Sequence, residues 1–184
     1  DVYKRQEQQH KRIIKEALNV LGKKNFAFIA HANSFPAEVG KNTGFGNAAS
    51  DAARGLIDYL SGIFNAVQLG PAGKTKSCDS SPYTGTIFSN NPLFIDLGLL
   101  TTPEFFSLLS EETYNKICEN NPNKDKNKTA YSYIYKAQDE ALREAYDNFK
   151  KNNPFKLVEA LETFKKNNAM WLENDALYEA LSIE

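Results

Sequence analysis

The stretch NFAFIAHANSFPAEVGKNTGFGNAASDAARGLIDYLSGIFNAVQL, residues 25–69, decides the fold. It opens with a short apolar run at 25–30 and closes with a second one at 64–69, each consistent with a buried strand. The part in between carries apolar residues at helical spacing behind Ser50, a favoured N-cap residue. These apolar residues are Ala53, Leu56, Ile57 and Leu60. Strand, helix and strand in this order predict one βαβ unit and an α/β fold.

A polar loop follows each predicted strand. His31 to Asn47 follows the first strand and is rich in turn residues, and a second polar stretch begins at Gly70. In α/β proteins, ligands bind at the carboxyl ends of the strands, so we expect the site there. His31 stands at this edge, where a lone histidine is more often a structural residue than a catalytic one.

The segments on both sides of this unit are predicted to be helical. Residues 7–24 form an N-terminal helical segment, with a helix at 8–21 that Gly22 ends. The chain begins without methionine, and residues 1–6 (DVYKRQ) match an in-frame translation of a transposon-derived sequencing adapter. We therefore expect residues 1–6 to be a scar and expect the chain to be a fragment.

The strand and helix alternation stops after residue 97. Thr102-Pro103 and Ser110 are predicted helix starts, and a long helix is expected around residues 134–149. A last helix opens at Asn153-Pro154 and is expected to break near Asn167-Asn168 before it resumes at Trp171. Residues 98–184 therefore form a predicted helical subdomain.

Composition excludes some partners. The net charge of -1 lacks the basic footprint of a nucleic-acid-binding protein, and no apolar run reaches the ~20 residues that span a bilayer. Cys78 and Cys118 lack metal-type spacing, so free thiols in a reducing cytoplasm are favoured over a disulfide. We expect no cofactor and no metal, no nucleic acid and no membrane among the partners.

Residues 70–75, GPAGKT, contain the Gly-Lys-Thr sequence found in phosphate-binding loops. Such a loop needs its first glycine where this chain has Gln68, and it needs a helix directly afterwards. Lys76 to Pro82 is polar and ends in proline, so no helix is expected. The pattern therefore disfavours nucleotide binding.

The same loop suits a carbohydrate. Tyrosine faces pack on the C–H surfaces of sugars, and Pro82 fixes its own φ and restricts Ser81, which steadies Tyr83. Taken alone, Tyr83 is also typical of a packing tyrosine. The residues by themselves leave both interpretations open.

A resemblance to a known family favours the sugar. Residues 68–97, QLGPAGKTKSCDSSPYTGTIFSNNPLFIDL, resemble the first substrate loop of the amylomaltases, the 4-alpha-glucanotransferases of glycoside hydrolase family seventy-seven. That loop reads Leu-Gly-Pro-x-Gly, then Ser-Pro-Tyr, then Asn-Pro-x-x-Ile-Asp-Leu. Residues 28–46, 130–149 and 171–181 are similar to further family segments in the same order. Asn174 and Asp175 depart from the family pattern, which bears on how the last helix docks.

The resemblance implies the N-terminal part of a (β/α)8 TIM barrel. Residues 25–97 would supply its first two strands and the substrate loop, and residues 98–184 a mostly helical, truncated insertion. Tyr83 would bind the sugar beside the cleaved bond, while Ser81, Pro82 and Asn91 shape the loop.

The activity implied is transfer of α-1,4-glucan segments between maltooligosaccharides by a retaining double displacement. That chemistry needs two carboxyl groups ~5 Å apart. The resemblance places the catalytic carboxylates beyond Glu184, so we expect no catalytic residue here and no activity of the chain alone. The alternative is a non-catalytic glucan-binding or interaction module.

Overall fold

The computed structural model describes residues 2–75, 81, 83, 88–126 and 128–181. Two strands are β1 (Ala27–Ala30) and β2 (Ala66–Leu69), and short 3-10 turns lie at Ala32–Ser34, Pro92–Phe94 and Pro103–Phe105. The helices are α1 (Val2–Val20), α2 (Asp51–Leu60), α3 (Leu97–Leu100), α4 (Glu111–Glu119), α5 (Tyr131–Asn152), α6 (Phe155–Asn167) and α7 (Ala169–Leu181).

The predicted βαβ unit is present. β1 and β2 pair in parallel, in a register that sets Ala27 opposite Ala66 and Ala30 opposite Leu69. Helix α2 connects them and is capped as expected, because the Ala53 N–H donates to Ser50 Oγ at 3.1 Å. The sheet described here holds these two strands, and its closure into a (β/α)8 barrel stays a prediction.

The prediction that both strands are buried is wrong for the chain as it stands. Ile29 is 68% exposed and Leu69 is 48% exposed. Parallel strands are buried when other elements cover both faces of their sheet. In the described residues each strand pairs only with the other. Phe64, just before β2, stacks on Phe26, just before β1, with ring centroids 4.7 Å apart.

Helix α1 differs from its prediction at its beginning. It starts at Val2, so regular helix extends into residues 1–6, the segment predicted to be an adapter scar. Its end is as predicted: Gly22 adopts φ +63, and the Lys23 N–H donates to the Leu18 carbonyl at 2.8 Å. The origin of residues 1–6 as an adapter scar stays a hypothesis.

Helix α5 forms the centre of the helical half. Its inward stripe of small and branched residues lets neighbouring segments approach closely. One cluster packs Leu97, Leu109 and Ile117 against Ala137 and Ala141, and a second joins Phe45 and Leu93 to Ile134. The long helix predicted around residues 134–149 is confirmed.

The other helix boundaries largely follow the predictions. Ser110 caps α4, as predicted. The helix is interrupted at Asn168, between α6 and α7, as expected from Asn167-Asn168. Thr102-Pro103 instead opens a 3-10 turn, after which Phe106 and Ser107 have positive φ. Cys118 is a buried free thiol, and burial raises its pKa; Cys78 lies outside the described residues.

In the part of the chain that the structure describes, no helix has the length and apolarity needed to cross a bilayer.

The segment Gly44-Phe45-Gly46 joins the two halves of the chain. Phe45 is buried, and its ring lies 5.4 Å from that of Phe94 and 6.1 Å from that of Tyr131. The Gly44 carbonyl accepts from the Ala130 N–H at 2.7 Å, at the start of α5. A Cβ on Gly46 would lie 2.4 Å from two backbone carbonyl oxygens, so only glycine fits.

Replacing Gly46 tests how tight this junction is. We expect Gly46→Ala to lower the free energy of unfolding by about 2 kcal/mol, because the new methyl group must displace backbone carbonyls. Gly55→Ala is the matched control, because Gly55 lies inside α2 and the described residues place no atom of another segment within 4 Å of its Cβ position. Helix propensity predicts a gain of about 0.5–1 kcal/mol there. Denaturant unfolding measures both, and equal effects would contradict the packing assignment.

Glu144 of α5 forms hydrogen bonds with the residues at the start of α4. Its carboxylate accepts from the Ser110 N–H at 2.8 Å and from Thr113 Oγ1 at 2.5 Å. Partial burial acts to raise the pKa of Glu144, but the hydrogen bonds from Thr113 and Ser110 outweigh it and lower the pKa from its ordinary 4.5. The ionised form therefore stabilises the folded chain.

We expect Glu144→Gln to lower the free energy of unfolding by about 1 kcal/mol at about pH 7, a modest value because the carboxylate is only partly buried. The pKa is lowered on folding, so this stabilisation is present above 4.5 and is lost as pH falls through the lowered value. Urea unfolding of both proteins across that range measures the difference. Glu140→Gln, an exposed change on the same helix, is the control; a difference between wild type and Glu144→Gln that does not shrink in acid would contradict the assignment.

Candidate functional site

The carboxyl ends of β1 and β2 meet at His31 and Gly70. The Gly70 N–H donates to the Ala30 carbonyl at 3.3 Å and extends the sheet by one step. The His31 ring lies directly against Gly70, since a Cβ there would be 2.2 Å from Nδ1. His31 therefore packs at this edge, and glycine at position 70 leaves room for its ring.

Asn91 is buried at the base of the predicted substrate loop. It is 4% exposed, and its backbone N–H donates to the Ala72 carbonyl at 2.8 Å. Its amide oxygen accepts from the Leu93 N–H at 3.0 Å, and its amide nitrogen donates to Thr75 Oγ1 at 2.9 Å. One side chain thus links the start of the loop to the turn that ends it.

Helix α5 completes this junction. The buried Thr75 hydroxyl shares a hydrogen bond with the Tyr135 hydroxyl, and either group can donate. Gly73 forms an antiparallel bridge with Asn90, which holds the two arms of the loop side by side. We call this set the loop base: Gly73, Thr75, Asn90, Asn91 and Tyr135.

Tyr83 has the opposite environment. It is 77% exposed, and its backbone N–H donates to Ser81 Oγ at a long 3.4 Å. Pro82 lies outside the described residues. The structure thus brings Ser81 and Tyr83 together at the surface, while Asn91 is buried in the loop base and offers almost no surface to a ligand.

Helix α7 holds the loop from a second side, which sequence reasoning missed. The Lys74 ammonium pairs with the Glu179 carboxylate, and the Ser89 hydroxyl donates to Asp175. Phe88 stacks on Trp171 at 5.6 Å between ring centroids. Burial lowers the pKa of Lys74, against the opposing charge of Asp175. Asp175, a departure from the family pattern, is therefore part of the docking of this helix.

Asp96 has a structural role. Its carboxylate accepts from the Gly98 N–H at 2.8 Å and caps α3. Asp79 of the predicted substrate loop lies outside the described residues. Among the described residues, no group of three or more histidine, cysteine, aspartate or glutamate side chains is arranged to hold a metal.

An open groove of about 540 Å³ lies between the loop after β1 and helices α3 and α4. Its charged residues mostly pair with one another, as Lys41 does with Glu38 at 2.5 Å and Arg54 with Asp51 at 3.8 Å. Its lining, as far as the structure describes it, does not include Ser81, Tyr83 or Asn91. The groove and the predicted substrate loop are therefore separate features.

Comparison with known sequences places this loop in a family. The sequence profile of the 4-alpha-glucanotransferases, glycoside hydrolase family 77, matches residues 31–184. The matched range begins at the carboxyl end of β1 and includes the predicted substrate loop and helices α2 to α7. The chain belongs to this family.

Two curated relatives agree. The 4-alpha-glucanotransferase of Clostridium butyricum is 30% identical over 152 residues, which are 82% of this chain. The 4-alpha-glucanotransferase of Thermus thermophilus is 29% identical over 157 residues, which are 85% of this chain. The matched part spans 28% of the length of each relative. No solved structure matches the chain significantly.

Removal of the Asn91 side chain tests the loop base. We expect Asn91→Ala to lower the free energy of unfolding by about 2 kcal/mol, because the Leu93 N–H and the Thr75 hydroxyl lose a partner in a buried place. Asn115→Ala, on the exposed side of α4, is expected to stay within about 0.5 kcal/mol of wild type. Denaturant unfolding measures the free energy of unfolding of both variants, and equal losses would contradict a structural role of Asn91.

Proposed function

We propose that this chain is part of a 4-alpha-glucanotransferase that cleaves an α-1,4 bond in one maltooligosaccharide and passes the released segment to the 4-hydroxyl of another. The observation that carries the proposal is the family match over residues 31–184, which includes Ser81, Tyr83 and Asn91. Both curated relatives bear the name of that activity.

The proposed reaction is a retaining double displacement. A carboxylate attacks the anomeric carbon while a carboxylic acid protonates the departing oxygen, which gives a glycosyl-enzyme. The same group, now a base, then takes the proton from the acceptor 4-hydroxyl as that oxygen displaces the carboxylate. We propose that these carboxylates come from the rest of the parent protein, since the match covers 28% of each relative. The chain alone is then inactive.

The part of this chain is to hold the glucan. An exposed tyrosine can lay its ring on the C–H face of a sugar, and Tyr83 has that exposure. A fixed loop base lowers the conformational entropy that binding must remove, and the buried network at Thr75 and Asn91 supplies such a base. Ser81, Pro82 and Asn91 then act by shaping the loop that presents Tyr83.

The proposal extends to the fold and its setting. β1 and β2 become the first two strands of a (β/α)8 barrel, in which further strands and helices would cover apolar side chains such as Ile29. Residues 98–184 form the helical insertion. A cytoplasmic enzyme acting on glucans from starch or glycogen suits the free thiol of Cys118.

The parent protein should convert maltotriose to glucose and longer maltooligosaccharides. Tyr83→Ala should lower kcat/KM about tenfold, which corresponds to the ~1.4 kcal/mol that one aromatic contact can contribute. Chromatography of the products measures both. Tyr59→Ala is the matched control, because Tyr59 on α2 has the same 77% exposure and lies outside the loop.

The product pattern separates the alternatives. Glucose and maltose as the sole products would make the parent a hydrolase and refute the transferase. An inactive parent, together with Tyr83-dependent binding of maltoheptaose to this chain, would instead support a non-catalytic glucan-binding module. Calorimetric titration of the chain and of Tyr83→Ala with maltoheptaose measures that affinity.

A further inference from the structure

One face of α7 carries three residues at four-residue intervals: Trp171, Asp175 and Glu179. Residues four apart on a helix lie above one another on the same face. Each of the three contacts the substrate loop, through Phe88, Ser89 and Lys74 respectively. We call Trp171, Asp175 and Glu179 the α7 clamp.

The clamp holds the loop on both sides of Tyr83. Lys74 precedes Tyr83 in the chain and pairs with Glu179, in an ion pair that is partly shielded from water. Phe88 and Ser89 follow Tyr83 and lie against Trp171 and Asp175. The loop is thus held at Lys74 before Tyr83 and at Phe88 and Ser89 after it, and a loop held at both ends has less conformational entropy than one held at a single end.

Asp175 is a buried carboxylate whose charge is compensated by residues of the loop. Asp175 is 8% exposed, and a buried carboxylate is unfavourable unless hydrogen bonds and opposite charge compensate it. Ser89 supplies the hydrogen bond, and Lys74 is close enough for its pKa to respond to the charge of Asp175. The Asp175 carboxylate therefore interacts with the loop on both sides of Tyr83, with Ser89 by a hydrogen bond and with Lys74 through its charge.

Trp171 is itself held in place. Its indole N–H donates to Asn168 Oδ1 at 3.1 Å, and its ring meets the edge of Phe164 at 6.4 Å between centroids. The Phe88 ring then lies nearly parallel to the indole, with 12° between their planes. A ring fixed in this way gives Phe88, in the part of the loop that follows Tyr83, a rigid surface to pack against.

We infer that the α7 clamp positions Tyr83 for the sugar beside the cleaved bond, with Asp175 as its central positioning residue. This inference rests on the proposed function and assigns a task to the last helix of the chain. The clamp is distinct from the loop base, which is built on α5 through Tyr135. Asp175 acts through the loop and touches no reacting atom.

The first experiment uses this chain and needs no activity. Asp175→Ala should raise amide hydrogen exchange over residues 70–91 about tenfold and change the emission of Trp171, the single tryptophan. Ser89→Ala removes the same hydrogen bond without altering α7, so it should act in the same direction even if the helix variant folds poorly. Glu173→Ala, an exposed change on the same helix, should leave exchange and emission unchanged.

The second experiment uses the parent enzyme and maltotriose. Asp175→Ala should raise KM about tenfold and change kcat less than twofold, because the chemical groups are untouched. In a Tyr83→Ala background the same change should have little further effect, since its influence passes through Tyr83. A role limited to overall stability would lower the active fraction and leave KM unchanged.

The outcomes separate the inference from the proposed function. A wild-type parent that transfers no glucan refutes the proposed function, and the link to sugar binding with it, whereas the exchange data on the chain still decide whether the clamp holds the loop. Unchanged exchange in both Asp175→Ala and Ser89→Ala overturns the clamp. Full additivity of Asp175→Ala and Tyr83→Ala in kcat/KM overturns its action through Tyr83.

Discussion

The packing of Phe45 against the start of α5 is the contact on which the rest of the structure depends. Burial of a phenylalanine side chain stabilises the folded state by about 1.5–3 kcal/mol. Phe45 packs with Leu93 and Ile134 and so joins the loop after β1 to α5. It reaches them because both neighbouring residues are glycine: Gly44 adopts φ +99, and Gly46 lies against two backbone carbonyls. This contact ties the loop of the βαβ unit to the helical half.

Once α5 is fixed in this way, it organises the irregular segments. Gln138 is buried and donates to the carbonyls of Pro92 and Ile95 at 3.1 and 3.0 Å. Tyr135 reaches Thr75, and Glu144 reaches the start of α4. Backbone groups outside helices and sheets need hydrogen-bond partners, and here one long helix supplies several of them. The base of the predicted substrate loop is therefore held by a helix far from it in the chain.

Several parts of the fold were predictable because their causes are local. Ser50 and Ser110 cap their helices through contacts three residues away, and the break at Asn168 follows from a pair of asparagines. The burial of the strands was not predictable, since it depends on what covers the sheet. Ile29 has the sequence character of a core residue and is exposed.

The candidate site shows the same division. Asn91 was expected to shape the loop, and the structure places it in a buried network, but nothing in the sequence indicates that Thr75 and Tyr135 complete that network. Asp175 stood out only as a departure from the family pattern. Its spacing from Trp171 and Glu179 was visible, but the same spacing is typical of any helix face.

The sequence by itself determined the helices, the parallel strand pair, the family and the loop that carries Tyr83, because periodicity, capping and motif order act over short separations. Only the tertiary structure decided which distant groups meet. Ser89 and Asp175 are 86 residues apart and Lys74 and Glu179 are 105 apart, yet these pairs fix the two arms of the loop. Such pairs depend on the placement of whole helices, since α5 and α7 must pack before their side chains can reach the loop.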